Sequence, residues 1–121
     1  MTKFALVVGG ILLLNLGCGS GSMPATTSGV SESKPVNQLT ADDLGKICDW
    51  SASLYGGYGK TKTCSDGTTS SSRANRDACA ETPYKTCTAT VSDVESCILK
   101  LHELCLNGLA TQECSPLLPC L

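Results

Sequence analysis

Cysteines are the residues of this chain whose type and number could do the most chemistry. There are nine among 121 residues, and this density is typical of exported proteins, because reduced cytosolic thiols add no covalent stability. Zinc binding is a poor explanation, since there is no C-x-x-C pair and only one histidine. We predict four structural disulfides, whose connectivity the spacing leaves open. The cysteines available for pairing are Cys48, Cys64, Cys79, Cys87, Cys97, Cys105, Cys114 and Cys120.

Helix geometry excludes one of the possible disulfides. Cys97 and Cys105 lie eight residues apart on one predicted helix, so their Cα atoms are expected to stand about 12 Å apart. A disulfide joins Cα atoms that are less than ~7 Å apart. Each of these two cysteines is therefore expected to reach a different segment, with Cys48 and a cysteine of the connector or tail as the natural partners.

His102 is the candidate for acid–base or metal chemistry. It precedes Glu103 and so begins the H-E-x-x-H zinc motif, but position 106 is leucine and the second ligand is missing. We interpret His102 as a border residue packed over its helix. There is no G-x-S-x-G, P-loop or calcium-loop pattern, and the eight paired cysteines leave no nucleophilic thiol. We predict no enzyme activity, no cofactor and no metal.

Aromatic residues beside a glycine-rich segment form the possible contact surface. Tyr55 and Tyr58 flank residues 56–57, both glycine, and tyrosines on such a loop offer rigid amphipathic area at little ordering cost. The alternative is a helix terminator whose tyrosines cover the disulfides, because glycine commonly ends helices. Trp50 lies off the apolar stripe of the same helix, so it either covers a loop or faces a partner.

Capping signals predict where the two longer helices start. Thr40 and Asp43 form a variant of the capping box, and the apolar spacing after them predicts a helix from residue 41 to about Tyr55. Residues 92–95 are Ser-Asp-Val-Glu, a second capping box that precedes apolar residues at helical spacing. The helix that follows is expected to end near residues 107–108, which are Asn-Gly.

The segment between these helices has few apolar residues. The Asp-Gly pair at residues 66–67 can turn a tight hairpin, although an irregular cross-linked loop fits residues 58–72 equally well. Ser71 or Ser72 can cap a short helix that includes Cys79. We therefore predict a mainly α, small disulfide-stapled domain with two longer helices, one short helix and an irregular or hairpin loop at residues 58–72.

Charge excludes one class of partner. The chain has nine Lys and Arg residues against eleven Asp and Glu residues, which gives a formal net charge of −2. A chain of this balance offers no cationic patch for phosphate backbones. We expect no nucleic-acid partner.

The N-terminus predicts export. Lys3 precedes thirteen mostly apolar residues, 4–16. As a helix this run would span roughly 20 Å, short of the ~30 Å hydrocarbon core of a bilayer. It therefore fits the apolar region of a signal peptide and not a membrane-spanning anchor. Residues 19–38 are rich in Ser, Gly, Thr and Pro, which is the composition of a flexible tether.

Residues 14–18, Leu-Asn-Leu-Gly-Cys, resemble the lipobox of bacterial lipoprotein precursors. The last two positions match, whereas Asn15 and Leu16 depart from the usual residues. The resemblance is to small cysteine-rich bacterial lipoproteins of uncharacterised function, and it implies cleavage before Cys18 and a lipid on the Cys18 thiol. Gly19 replaces the aspartate that retains many lipoproteins at the inner membrane, which implies sorting to the outer membrane.

These observations predict a domain plan and a function class. Residues 1–17 are the expected signal peptide, 18–38 the lipidation site and tether, and 39–121 the disulfide domain. The predicted function is a non-enzymatic envelope lipoprotein, attached to the membrane through Cys18, that binds an unknown protein or envelope polymer. The alternative is a secreted small effector or inhibitor without a lipid anchor, released or left in the periplasm by an ordinary signal cleavage a few residues later.

Overall fold

Helices dominate the computed structural model, which describes residues 25–81, 87–105 and 111–120. The predicted signal peptide and Cys18 lie outside these ranges. The described chain is mainly α with a two-stranded antiparallel hairpin, which confirms the predicted fold class. None of its helices is both long and apolar enough to cross a bilayer. The elements are a 3₁₀-helix Val36–Gln38, α1 (Ala41–Ser53), β1 (Thr61–Thr63), β2 (Thr69–Ser71), α2 (Arg76–Ala80), α3 (Val91–Leu104) and a 3₁₀-helix Gln112–Cys120.

The start of α1 is the predicted capping box. The Thr40 hydroxyl accepts from the Asp43 N–H at 3.1 Å, and the Asp43 carboxylate accepts from the Thr40 N–H at 3.0 Å. A hydrogen bond from the Lys34 ammonium, together with those from Thr40, lowers the pKa of Asp43 to about 2. The helix ends at Ser53, two residues before the predicted end, because Gly57 (φ 133°) closes the turn with a backbone hydrogen bond.

Helix α2 has a different cap from the predicted one. The Asn75 side chain accepts from the Ala78 N–H at 2.9 Å, so Asn75 is the N-cap. Ser71 and Ser72, the residues predicted to cap this helix, belong to the hairpin instead. Ser71 is the last residue of β2, and the Ser72 N–H donates to the Lys60 carbonyl at 2.9 Å.

A glycine in α1 allows α2 to pack closely. The Arg76 guanidinium lies over Gly45, where an added Cβ would come within 2.0 Å of it. Arg76 also pairs with Asp49, with Nε and Oδ1 3.4 Å apart. The Cys48–Cys79 disulfide joins the two helices covalently. A five-residue helix is marginal by itself, so these contacts are what hold α2 in place.

Helix α3 begins before the predicted capping box. Thr90 is the N-cap, and its N–H donates to the Asp93 carboxylate at 2.8 Å. The prediction that Ser92 and Glu95 form the box is wrong. Glu95 is buried, and its carboxylate accepts from the Ser28 N–H at 2.7 Å. This buried acid therefore connects α3 to a distant segment of the chain.

Residues 25–38 pack on the helices, so the prediction of a flexible tether up to residue 38 is wrong for this part of the chain. Val30 and Val36 are buried in the core. The Val36 N–H donates to the Ala89 carbonyl at 2.9 Å. Composition is a poor guide here, because two apolar side chains and a few main-chain hydrogen bonds are enough to order a polar segment. The folded domain starts at least fourteen residues before Leu39.

The described residues contain four disulfides, as predicted, and two of these lie in the core. Cys97 and Cys105 are not joined to each other, and Cys97 reaches the C-terminal tail. The expected link from Cys48 to α3 is wrong, because Cys48 faces the short helix α2. The disulfides are Cys48–Cys79, Cys64–Cys105, Cys87–Cys120 and Cys97–Cys114. The core residues are Val30, Val36, Ile47, Cys87, Ala89, Val91, Val94, Cys97, Cys114, Leu117 and Cys120.

Candidate functional site

Three segments meet where the hairpin packs against the ends of the two longer helices. The hydroxyl oxygens of Tyr55, after α1, and Ser70, in β2, are 3.0 Å apart. The Tyr55 ring meets the His102 ring edge-on, with the ring centroids 4.8 Å apart. The Lys62 ammonium donates to the His102 carbonyl at 2.8 Å and so satisfies an acceptor in the last turn of α3. These contacts hold the hairpin against both helices.

Strand register decides which hairpin side chains face this junction. Lys62 pairs with Ser70, and these two residues are the more buried ones of their strands. Asp66, at the predicted turn, accepts hydrogen bonds from the hydroxyl and the N–H of Thr68, and these lower the pKa of Asp66. The outer face of the hairpin carries four exposed hydroxyl side chains, those of Thr61, Thr63, Thr69 and Ser71.

His102 packs at the border of α3, as predicted. Burial lowers the pKa of His102, and the positive charge of Lys62 lowers it further. A hydrogen bond involving the Leu54 backbone acts in the opposite direction. Because the unperturbed pKa of histidine is already about 6.5, the imidazole is neutral at pH 7 and contributes to packing between α1, α3 and the hairpin.

Protonation of His102 is expected to destabilise the domain. A lowered pKa in the folded state means that the unfolded chain binds the proton more readily, so stability is lost as the pH falls through about 6.5 and below. Because the ring is partly exposed, we expect the free energy of unfolding to fall by only roughly a few tenths of a kcal/mol. Urea unfolding at pH 7.5 and pH 5.5 measures the change. His102→Gln should remove most of it, and an equal pH dependence in this variant would assign the effect to other groups.

The aromatic residues predicted as a contact surface are used inside the domain. Trp50 is 5% exposed, and its indole N–H donates to the Ala25 carbonyl at 2.7 Å. Of the two alternatives, Trp50 therefore covers a chain segment and is no part of an exposed surface. Tyr55 and Tyr58 are half-buried. The Tyr58 hydroxyl donates to Asp49 at 2.7 Å, and burial, followed by Asp49, raises the pKa of Tyr58 to about 12.

A concavity of about 410 Å³ opens between the hairpin loop and the end of α3. Residues 62–66 and 103–105 line it, and the Cys64–Cys105 disulfide joins its two sides. The hairpin is one of the two structures that the sequence allowed for residues 58–72, but the sequence does not indicate this concavity, because cysteine spacing contains no information on which cysteines pair. The charged side chains of the lining are those of Lys62, Asp66 and Glu103.

Hydroxyl, ammonium and carboxylate groups dominate the hairpin and the concavity beside it. This chemistry suits hydrogen bonding to a polar partner. In residues 25–81, 87–105 and 111–120, no three His, Cys, Asp or Glu side chains come together as metal ligands. The four disulfides indicate an oxidising compartment. The chain matches no protein-family model, no curated protein and no solved structure.

Proposed function

We propose that the chain is a non-enzymatic lipoprotein of the bacterial envelope, attached to the bilayer, in particular the outer membrane, through Cys18. The lipobox-like segment at residues 14–18, which ends the apolar run that starts at residue 4, carries this proposal. The chain has nine cysteines. Of the nine, eight form the disulfides of the domain, and the ninth is Cys18 in the lipobox-like segment. A lipid on Cys18 leaves these eight cysteines for the fold, and so does a signal cut after Ser20 or Ser22, so the count does not choose between the two products. Gly17 and Cys18 of the lipobox-like segment are what favour the lipid.

The packed segment shortens the proposed tether. Six residues, 19–24, separate Cys18 from Ala25. An extended chain advances ~3.5 Å per residue, so an anchor on Cys18 would keep Ala25 within roughly 25 Å of the lipid. This distance favours a partner in the envelope layer next to the membrane over one far from it.

The hairpin and the concavity are the proposed contact surface for that partner. Four hydroxyl side chains are exposed on one face, and an ammonium and two carboxylates lie beside it. The matching partner is an envelope protein or polymer rich in hydrogen-bonding groups. Four disulfides keep this surface preorganised, which reduces the entropy cost of binding.

A secreted small effector or inhibitor is the second candidate, and the fold adds one observation in its favour. Packing begins by residue 25, so an ordinary signal cut after Ser20 or Ser22 would leave only a few residues ahead of the domain. Such a product needs no tether. The two candidates therefore differ in the fate of Cys18.

Intact-mass measurement on membrane and soluble fractions of a bacterial expression host separates the candidates. We expect the protein in the membrane fraction, starting at Cys18 and heavier than its polypeptide by the attached acyl chains. The matched control is Cys18→Ser. This variant should carry no lipid mass and should be absent from the membrane fraction. A soluble, lipid-free product that starts after Cys18 would overturn the proposal and support the secreted effector.

A further inference from the structure

The four disulfides differ in how far solvent reaches them. In Cys64–Cys105 both residues are partly exposed, and both line the concavity between the hairpin and α3. Thiol–disulfide exchange requires a thiolate to approach a sulfur atom directly, so access controls the rate. Every other disulfide has at least one buried residue: Cys48, both Cys87 and Cys120, and both Cys97 and Cys114.

The backbone at Cys105 gives a second reason for this bond to open. Cys105 ends α3 in the left-handed conformation, with φ 55° and ψ 38°. Among the described residues it is the one non-glycine residue with positive φ. A residue with a side chain keeps this conformation only where the surroundings impose it, and the bond to Cys64 is one of the constraints. Breaking that bond allows Cys105 to relax.

We propose that Cys64–Cys105 is a site of thiol–disulfide exchange, at which a low-molecular-weight or protein thiol opens the domain selectively. The attacking thiolate forms a mixed disulfide with one of the two cysteines, and the other leaves as a thiolate. A second thiol then displaces the first cysteine. Two reagent thiols are oxidised to one disulfide, and Cys64 and Cys105 are each reduced to a thiol.

Opening this bond removes the one covalent link between the hairpin loop and α3. Two polar contacts of the hairpin remain. The Tyr55–Ser70 hydroxyl pair joins it to the residue that follows the end of α1, and the hydrogen bond from Lys62 to the His102 carbonyl joins it to α3. The core disulfides and the apolar core lie elsewhere and stay intact. The change is therefore local: the two sides of the concavity separate while α1, α3 and the C-terminal 3₁₀-helix remain packed. This inference does not depend on a lipid at Cys18.

Graded reduction of the purified domain with dithiothreitol, followed by alkylation and peptide mass mapping, tests the proposal. We expect Cys64 and Cys105 to be alkylated at a reductant concentration about tenfold or more below that required for Cys97 and Cys114. Hydrogen exchange of the partly reduced species should show loss of protection in residues 61–71 and retained protection in α3. If the four bonds open together, or if another bond opens first, the proposal is wrong.

A pair of double variants provides the matched control. Cys64→Ser with Cys105→Ser should fold with three disulfides and show the same hydrogen-exchange pattern as the selectively reduced protein. Cys97→Ser with Cys114→Ser should lose protection throughout α3. Retained hairpin protection in the first variant would show that the bond does not control the position of the hairpin, and would overturn the proposed local opening.

Discussion

Replacing Cys97 and Cys114 together with alanine is expected to lower the free energy of unfolding by about 3–5 kcal/mol. The two residues are 1% and 0% exposed, and they join α3 to the C-terminal 3₁₀-helix. Their loss restores entropy to the unfolded chain and leaves two sulfur-sized voids in the core, and both effects act in the same direction. Urea unfolding followed by far-UV circular dichroism, which reports secondary structure, measures the change.

The control is Cys64→Ala with Cys105→Ala, for which two effects compete. This bond spans 41 residues against 17 for Cys97–Cys114, so loop entropy alone makes it the more stabilising by about 1 kcal/mol. Relaxation of the left-handed Cys105 offsets about 1–3 kcal/mol, and no fully buried sulfur is removed. We expect the free energy of unfolding of this double variant to fall by about 2 kcal/mol. A larger loss than in the Cys97 and Cys114 variant would show that loop entropy outweighs burial.

Trp50→Ala is expected to destabilise the domain by about 3–5 kcal/mol, because it removes a large side chain that is almost fully buried. The substitution also removes the hydrogen bond from the indole N–H to the Ala25 carbonyl. We expect residues 25–30 to lose their packing before the helices unfold, since Trp50 and Glu95 both hold this segment through hydrogen bonds. Unfolding in urea measures the change in the free energy of unfolding, and limited proteolysis detects the released segment.

Trp50→Phe separates the two contributions of this side chain. Phenylalanine keeps most of the apolar contact and removes the indole N–H, so we expect a loss of about 1 kcal/mol from the hydrogen bond and the smaller ring. A value for Trp50→Ala within ~0.5 kcal/mol of zero, the range of ordinary surface substitutions, would mean that Trp50 is exposed in solution and would restore it as a candidate contact residue.

The features that sequence reasoning placed correctly have local causes. The capping box at Thr40 and the turn at Asp66 act through hydrogen bonds between residues two or three apart, so the printed order of residues contains them. The start of α3 was misplaced because two capping patterns overlap there. Only the burial of Glu95 against Ser28 excludes the pattern that begins at Ser92, and that contact crosses 67 residues.

The candidate site could be predicted only in part. The packing role of His102 was predicted, since its position beside an apolar stripe is a property of one helix. Lys62 and Ser70 gave no sequence signal, because a strand of three residues is too short to show which of its faces is buried. The sequence does not indicate the pairing of Cys64 with Cys105 either, since this pairing depends on where the hairpin lies relative to α3.

By itself, the sequence determined the helical class and the eight cysteines that form four disulfides, and it left residues 58–72 open between a hairpin and an irregular loop. The tertiary structure decided which cysteines pair, that Trp50 is buried and that residues 25–38 belong to the fold. The physical reason is the range of the interactions. Caps, turns and helical periodicity are short-range, whereas disulfide pairing and burial depend on contacts between residues far apart along the chain, which local spacing does not encode.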